Sequence, residues 1–316
     1  MTKKVVYITG CLGFIGAYVT RACLLRGWYV MGIDSETYAA DVNLLNEFNQ
    51  YENFAYQNKN INDLNMLYDC DYIINMAAET HVDNSIVNNS EFIRSNIDGV
   101  HNLLRLIQTK SRFKMPTLVH FSTDEVYGDI ETGSHSEKDL MKPSNPYSAT
   151  KASADMLITA WGRTHKVPYI ILRPTNNYGI GQYPEKFIPK TCKHLMLGKK
   201  VTMHEQGKPR RTWLHVEDTA DATIFLLEHG EINNVYNISG NYEDSNLNVF
   251  KKILSTAGLD AEKYEDYADF SWSRAGQDVR YSIDDSKLKN LGWNNKKYFD
   301  NELPIIVEAS MKKFVW

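Results

Sequence analysis

Short apolar runs recur along the first 172 residues, at 5–9, 29–33, 72–76, 117–122 and 169–172, with helical stretches between them. Strands alternating with helices in this way predict a parallel sheet covered on both faces. Between the third and fourth runs, Ile93, Ile97, Val100, Leu104 and Ile107 recur at spacings of three or four, which predicts a helix with one apolar face. A second helix is expected to start at Pro146, because proline suits a first helical turn, and to run through Lys151, Ala154 and Leu157 to about Arg163. After Arg173 the rhythm gives way to a Pro-, Gly- and Asn-rich stretch from Pro174 to Pro189. That shift marks the expected boundary between a first domain, 1–173, and a second lobe, 174–316. A further run near Val235 to Ile238 is expected to return the chain to the main sheet, within a segment of about 213–240.

The chain has 316 residues, 43% of them hydrophobic, enough for a core without staples. With 35 basic against 39 acidic residues the formal net charge is −4 and no long run of either sign occurs, so no nucleic-acid partner is expected. Cys11, Cys23, Cys70 and Cys192 are scattered with no Cys-x-x-Cys pair, which favours a reducing compartment. The sequence contains neither a signal-like start nor a stretch of about 18 apolar residues, so a cytoplasmic protein with no membrane partner is expected. The nine histidines form no metal motif, and no metal is expected.

Residues 9–16 read Thr-Gly-Cys-Leu-Gly-Phe-Ile-Gly, directly after the first predicted strand. Glycines 10, 13 and 16 would let backbone N–H groups and a helix N-terminus, beginning at Phe14 and Ile15, approach a pyrophosphate. Asp34 closes the second strand, where an acid can bind ribose hydroxyls and repel a 2′-phosphate; Ser35 and Glu36 add no positive charge. NAD is therefore the expected cofactor, on an α/β fold with a Rossmann-type doubly wound parallel sheet. The other reading of Asp34 is a turn cap.

Tyr147 and Lys151 are four apart, hence on one face of the predicted helix, where the ammonium can lower the tyrosine pKa and hold ribose hydroxyls. Ser122-Thr-Asp-Glu125 ends the fourth strand. Neighbouring carboxylates push their pKa values apart, so that Asp124 and Glu125 could divide the roles of acid and base. A loop pair that merely faces water is the alternative.

With the glycine turn, the tyrosine–lysine spacing resembles the extended short-chain dehydrogenase/reductase family. The segments Asn75-Met-Ala-Ala-Glu-Thr-His-Val-Asp83, Ser122-Thr-Asp-Glu-Val-Tyr-Gly128, Asn176-Asn-Tyr-Gly179, Tyr183-Pro-Glu-Lys186 and Arg211-Thr-Trp-Leu-His-Val-Glu-Asp218 look like the nucleoside-diphosphate-hexose 4,6-dehydratases. Asp83-Asn-Ser85 and Gln182-Tyr-Pro-Glu-Lys186 are especially similar to versions from giant DNA viruses, which would place the protein in the host cytoplasm.

The resemblance implies that Tyr147 takes the O4 proton while Thr123 holds that oxygen, and that NAD accepts the C4 hydride and later returns it to C6. Glu125 would take the C5 proton and Asp124 would protonate the departing C6 hydroxyl. It further implies cofactor contacts at Asn60, Ile61, Ala77 and Ala78, with the second lobe a smaller mixed α/β substrate-binding unit. His81, Asn177, Glu185, Lys186, Arg211 and Arg274 would hold the nucleoside-diphosphate hexose, with Arg280 behind them. Gln277 and Ala275 stand where the family has His and Pro, leaving open dTDP-glucose, UDP-glucose or UDP-N-acetylglucosamine. A nucleotide-sugar 4-epimerase, dehydration with C5 epimerisation and an NAD-binding regulatory protein are the alternatives. The helices at roughly 89–110 and 147–163 resemble those that pair into a four-helix bundle, implying a homodimer.

Overall fold

A computed structural model describes residues 3–271 and 278–312. Seven parallel strands form the main sheet: β1 (Val5–Thr9), β2 (Tyr29–Asp34), β3 (Phe54–Asn58), β4 (Tyr72–Asn75), β5 (Thr117–Phe121), β6 (Tyr169–Pro174) and β10 (Asn234–Ile238). Their spatial order is β10-β6-β5-β4-β1-β2-β3, so the chain runs outward from β1 to β3 and then crosses over to β4. The switch point lies between β1 and β4, where a crevice opens beyond the carboxyl ends of the strands. Every residue of β6 is buried, as a strand covered on both faces requires. β3 carries no continuous apolar run to betray it, because it is the edge strand and only partly covered.

Helix Phe14–Leu25 packs with Val216–His229 on one face of the sheet, around Val19, Leu24, Leu172 and Ile224. The other face is covered by Gly99–Gln108 and Pro146–His165, around Leu103, Leu104, Ala154 and Ile158. The stretch expected as one helix over about 89–110 is in fact Ser90–Ile93, a π-helical turn Arg94–Asp98, and Gly99–Gln108. The wider turn lets Phe92 and Asn96 point inward, and Ile93 of the expected apolar face is 46% exposed. Helix Pro146–His165 starts at a capping box: Asn145 Oδ1 accepts from Ser148 N at 2.9 Å, and Ser148 Oγ accepts from Asn145 N at 3.3 Å. That cap fixes where Tyr147 and Lys151 leave the helix.

After β6 the chain enters β7 (Asn176–Tyr178), which joins β9 (Arg210–His215) and β11 (Tyr242–Ser245) in a three-stranded sheet. A short pair, β8 (Val201–Thr202) with β12 (Ala268–Asp269), lies beside it. Tyr178, Trp213, Phe299 and Ile306 form the core of this lobe. Among the described residues no helix is long and apolar enough to cross a membrane, and no cluster of three or more His, Cys, Asp or Glu is arranged for a metal.

Candidate active site

The glycine loop lies at the switch point. Gly10 has φ +71°, and a Cβ there would sit 2.9 Å from Ala77 N. A Cβ on Gly16 would come 1.9 Å from the Gly10 carbonyl oxygen, so only glycine lets the helix pack on the loop. Gly13 differs, since its missing Cβ meets only Gly10 O at 3.3 Å and otherwise opens onto the cavity. As N-cap of helix Phe14–Leu25 it supplies no side-chain cap, leaving first-turn N–H groups of a 12-residue helix to an anionic ligand.

The cavity continues past Asp34, Asn60, Ile61, Ala77 and Ala78. The Asp34 carboxylate accepts from Leu12 N at 3.0 Å and Glu36 N at 2.9 Å. Burial raises its pKa, and those backbone N–H groups oppose the rise. Asn60 caps a short 3₁₀ turn by accepting from Asn62 N at 2.9 Å, while Ile61 is buried against Gly99. Lys59 also lines this end, a cation that inspection of Ser35 and Glu36 alone misses. Asp34 and Glu79 line the same end, so the formal local charge remains negative, which suits a free ribose 2′-hydroxyl better than a phosphate.

In the other half of the cleft, Thr123, Asp124, Glu125, Tyr147 and Lys151 line one wall. Thr123 caps the 3₁₀ turn Asp124–Tyr127, accepting from Glu125 N at 3.3 Å, so the two carboxylates leave a tight turn directly after β5. Asp124 is 3% exposed and its Oδ2 has no hydrogen-bond partner among the described residues. Burial, then the neighbouring Glu125, pushes its pKa up to about 7. Glu125 is half-buried, its Oε2 accepting from Asn145 Nδ2 at 3.3 Å and Tyr281 Oη at 3.4 Å.

The expected coupling of Lys151 to Tyr147 is corrected here. Burial, then the charge of Glu125, raises the Tyr147 phenol above its usual value, opposed by a hydrogen bond with Thr123. The Lys151 ammonium instead donates to Phe121 O at 2.6 Å and stands 3.4 Å from His120 Nε2. Burial lowers Lys151 to about 8, against the pull of Asp155 one turn along the helix. Asp155 is held by Ser122 Oγ at 2.9 Å and Arg173 Nε at 3.0 Å, forming a buried polar layer beneath the reactive wall. Burial, then Lys151, keeps His120 well below the usual imidazole value, so it stays neutral at physiological pH.

On the facing wall Asn177, Glu185 and Lys186 line the cleft. Asn177 is locked by Thr219 Oγ1 donating to its Oδ1 at 2.5 Å. Lys186 Nζ donates across the cleft to Thr80 O at 3.0 Å and lies 3.4 Å from Glu185. His81 does not line the cleft; it precedes helix Val82–Val87, with Nε2 3.9 Å from Asp83.

Two arginines expected to meet a diphosphate are engaged elsewhere. Arg211 is 8% exposed, lies 4.3 Å over the Tyr281 ring, and donates to Arg210 O and Asp278 O. Arg280 forms a bidentate pair with Glu243 at 2.7 and 2.9 Å, which occupies its fork. Arg274, Ala275 and Gln277 lie outside the described residues. Sequence reasoning missed Asp278, Tyr281, His120 and Ser144, for no local spacing signals contacts to the site that span 31 to 156 positions.

The cavity that begins at the glycine loop thus ends at a phenol, a neutral-capable acid and a second carboxylate. That combination can move protons at two adjacent carbons of a bound substrate. The profile of the NAD dependent epimerase/dehydratase family matches residues 6–239. The chain is 38% identical to the low-salt glycan biosynthesis protein Agl12 of Haloferax volcanii, over 96% of this chain and 97% of that one. It is 36% identical to the dTDP-glucose 4,6-dehydratase of Haemophilus influenzae, over 94% and 95% respectively. The crystal structure of DesIV, a dTDP-glucose 4,6-dehydratase of Streptomyces venezuelae with NAD bound, superposes with a TM-score of 0.91 at 32% identity, covering 98% of this chain and 97% of that one.

Proposed function

The chain belongs to the NAD dependent epimerase/dehydratase family, and from that premise we propose that it is a lyase removing water from a nucleoside-diphosphate hexose across C5 and C6. The product is the 4-keto-6-deoxy sugar. The observation that carries this reading is the buried Asp124 beside Glu125, facing the same cleft as Tyr147. An epimerisation at C4 needs the tyrosine but has no use for an acid–base pair at the neighbouring carbons.

NAD, when bound, supplies a reversible hydride acceptor. Gly10, Gly13 and Gly16 with the first turn from Phe14 and Ile15 would hold its pyrophosphate, Asp34 a ribose, Asn60, Ile61, Ala77 and Ala78 the adenosine end, and Lys151 the second ribose. Thr123 holds O4 of the hexose, and Tyr147 in its ionised form removes the O4 proton. The positive nicotinamide of bound NAD would favour that form against the burial and Glu125 charge that raise the phenol without it. Glu125 removes the proton from C5, which a 4-ketone acidifies. Asp124, kept protonated near neutrality, gives its proton to the leaving C6 hydroxyl. Asn177, Glu185 and Lys186 orient the sugar and nucleotide. Relatives named dTDP-glucose 4,6-dehydratases, at 36% identity, stand beside plant enzymes whose UDP-glucose 4,6-dehydratase name goes with 37% identity over about half their length, so the donor is dTDP-glucose or UDP-glucose.

Converting Glu125 to Gln tests the assignment. Donor-dependent absorbance of the reduced cofactor persists while the 4-keto-6-deoxy product falls by roughly 10² to 10⁴-fold; undiminished product overturns it. We further propose a homodimer through helices Gly99–Gln108 and Pro146–His165, supported by the exposed apolar side chains Ile86, Val87, Ile93 and Met156 on and beside them. Light scattering at micromolar concentration should read a dimer mass, and a monomer mass contradicts it. Four cysteines free of disulfides fit a cytoplasmic setting.

A further inference from the structure

The hydroxyl of Tyr281 stands between two carboxylates. It hydrogen-bonds Asp278 Oδ2 and lies 3.4 Å from Glu125 Oε2. Ser144 Oγ bonds the same Asp278 oxygen, and the adjacent Asn145 donates to Glu125 at 3.3 Å. The loop ahead of the catalytic helix and the segment 278–281 therefore converge on one cluster. Arg211 closes its far side, stacked 4.3 Å from the Tyr281 ring and donating to Asp278 O at 3.1 Å. Tyr281 and Asp278 are each 5% exposed.

A phenol has one proton to donate. While Glu125 is ionised, both neighbours of Tyr281 are acceptors and compete for that proton. Once Glu125 has taken a proton it can donate to the Tyr281 oxygen, and the phenol proton is then free to serve Asp278 alone. Resting on the dehydration reading above, we propose that Tyr281, backed by Asp278, is a positioning residue for Glu125, donating to its ionised form before C5 deprotonation and accepting from its protonated form afterwards. The balance closes without another reactant. The C5 proton rests on Glu125, the C5–H electron pair forms the C5–C6 double bond, and the C6–O bond breaks as Asp124 protonates the oxygen. The Tyr281 proton only rotates. Asp124 and Tyr147 face Glu125 from the cleft side, Asn145 from the helix cap, and Arg211 backs Tyr281. Burial, then the charge of Glu125, raises the Tyr281 phenol well above its usual value, so it remains protonated throughout.

Tyr281→Phe keeps the ring under Arg211 and removes only the hydroxyl. Ionised Glu125 then loses a donor, so the acid limb of the kcat profile moves up by about one pH unit, the effect of one hydrogen bond to a charged group. At the optimum, kcat and solvent-deuterium incorporation at C5 fall together by roughly 10 to 100-fold, below the full worth of a general base. KM and the single-turnover absorbance of C4 oxidation stay unchanged. Asp278→Asn keeps an acceptor but removes the competing charge, and moves the acid limb to lower pH. Limbs that stay in place in both variants overturn the proposal, as does a uniform loss that includes C4 oxidation. If Tyr281→Phe fails to fold, Asp278→Asn decides alone by the direction of its limb. A wild-type enzyme that forms no dehydrated product overturns the dehydration reading instead, which separates the two failures.

Discussion

Asp124→Asn should alter stability in a pH-dependent way whose size follows from burial. The side chain is 3% exposed, and its pKa is pushed up to about 7 from the ordinary aspartate value of 3.8, first by desolvation and then by Glu125. For a carboxyl raised in the folded state, the folded protein holds its proton more tightly than the unfolded chain. The group therefore costs nothing well below the unfolded value, and its cost grows as pH rises through the window from about 4 to 7. At roughly 1.36 kcal/mol per unit the ceiling is about 4 kcal/mol, with about 1.7 kcal/mol already incurred at pH 5. Asparagine never ionises. Its amide faces the position where Asp124 Oδ2 lacks a partner, a penalty of about 1–3 kcal/mol that is the same at every pH. Hence the stability of the variant relative to the parent should improve by about 2.5 kcal/mol between pH 5 and pH 8.5. Denaturant titrations of both proteins across that range measure it. A difference that is flat with pH, or that moves against the variant as pH rises, refutes the buried-acid argument.

Gly16→Ala must displace the first turn, because its Cβ would lie 1.9 Å from Gly10 O; calorimetry should show NAD affinity reduced at least about 100-fold, with a lowered melting temperature. Arg280→Ala breaks the pair with Glu243 but frees no substrate contact, so KM should change less than about threefold while the melting temperature falls. Lys186→Ala, at the cleft wall, should instead raise KM by roughly tenfold or more in steady-state assays.

Much of the Rossmann half was legible because its strands are buried on both faces and read as unbroken apolar runs. The edge strand Phe54–Asn58 was not, since half-exposure leaves Gln57 and Asn58 among its residues. The π turn at Arg94–Asp98 was equally hidden, for one extra residue in a turn leaves the spacing of apolar positions almost intact. At the site, Thr123, Asp124, Glu125, Tyr147 and Lys151 stood out through local spacing, and the fold brings them to one wall. The partners of each were not legible. Lys151 turns to Phe121 O, Arg211 to Tyr281 and Arg280 to Glu243, choices set by packing between segments far apart in the chain.

The most direct test is to incubate the purified protein with NAD and, separately, dTDP-glucose, UDP-glucose and UDP-N-acetylglucosamine, and to read the products by mass spectrometry. Loss of one water from one of these donors, with the nucleoside diphosphate intact, is the expected result. Unchanged mass with all three, whether the sugar is returned untouched or with inverted C4, contradicts the account.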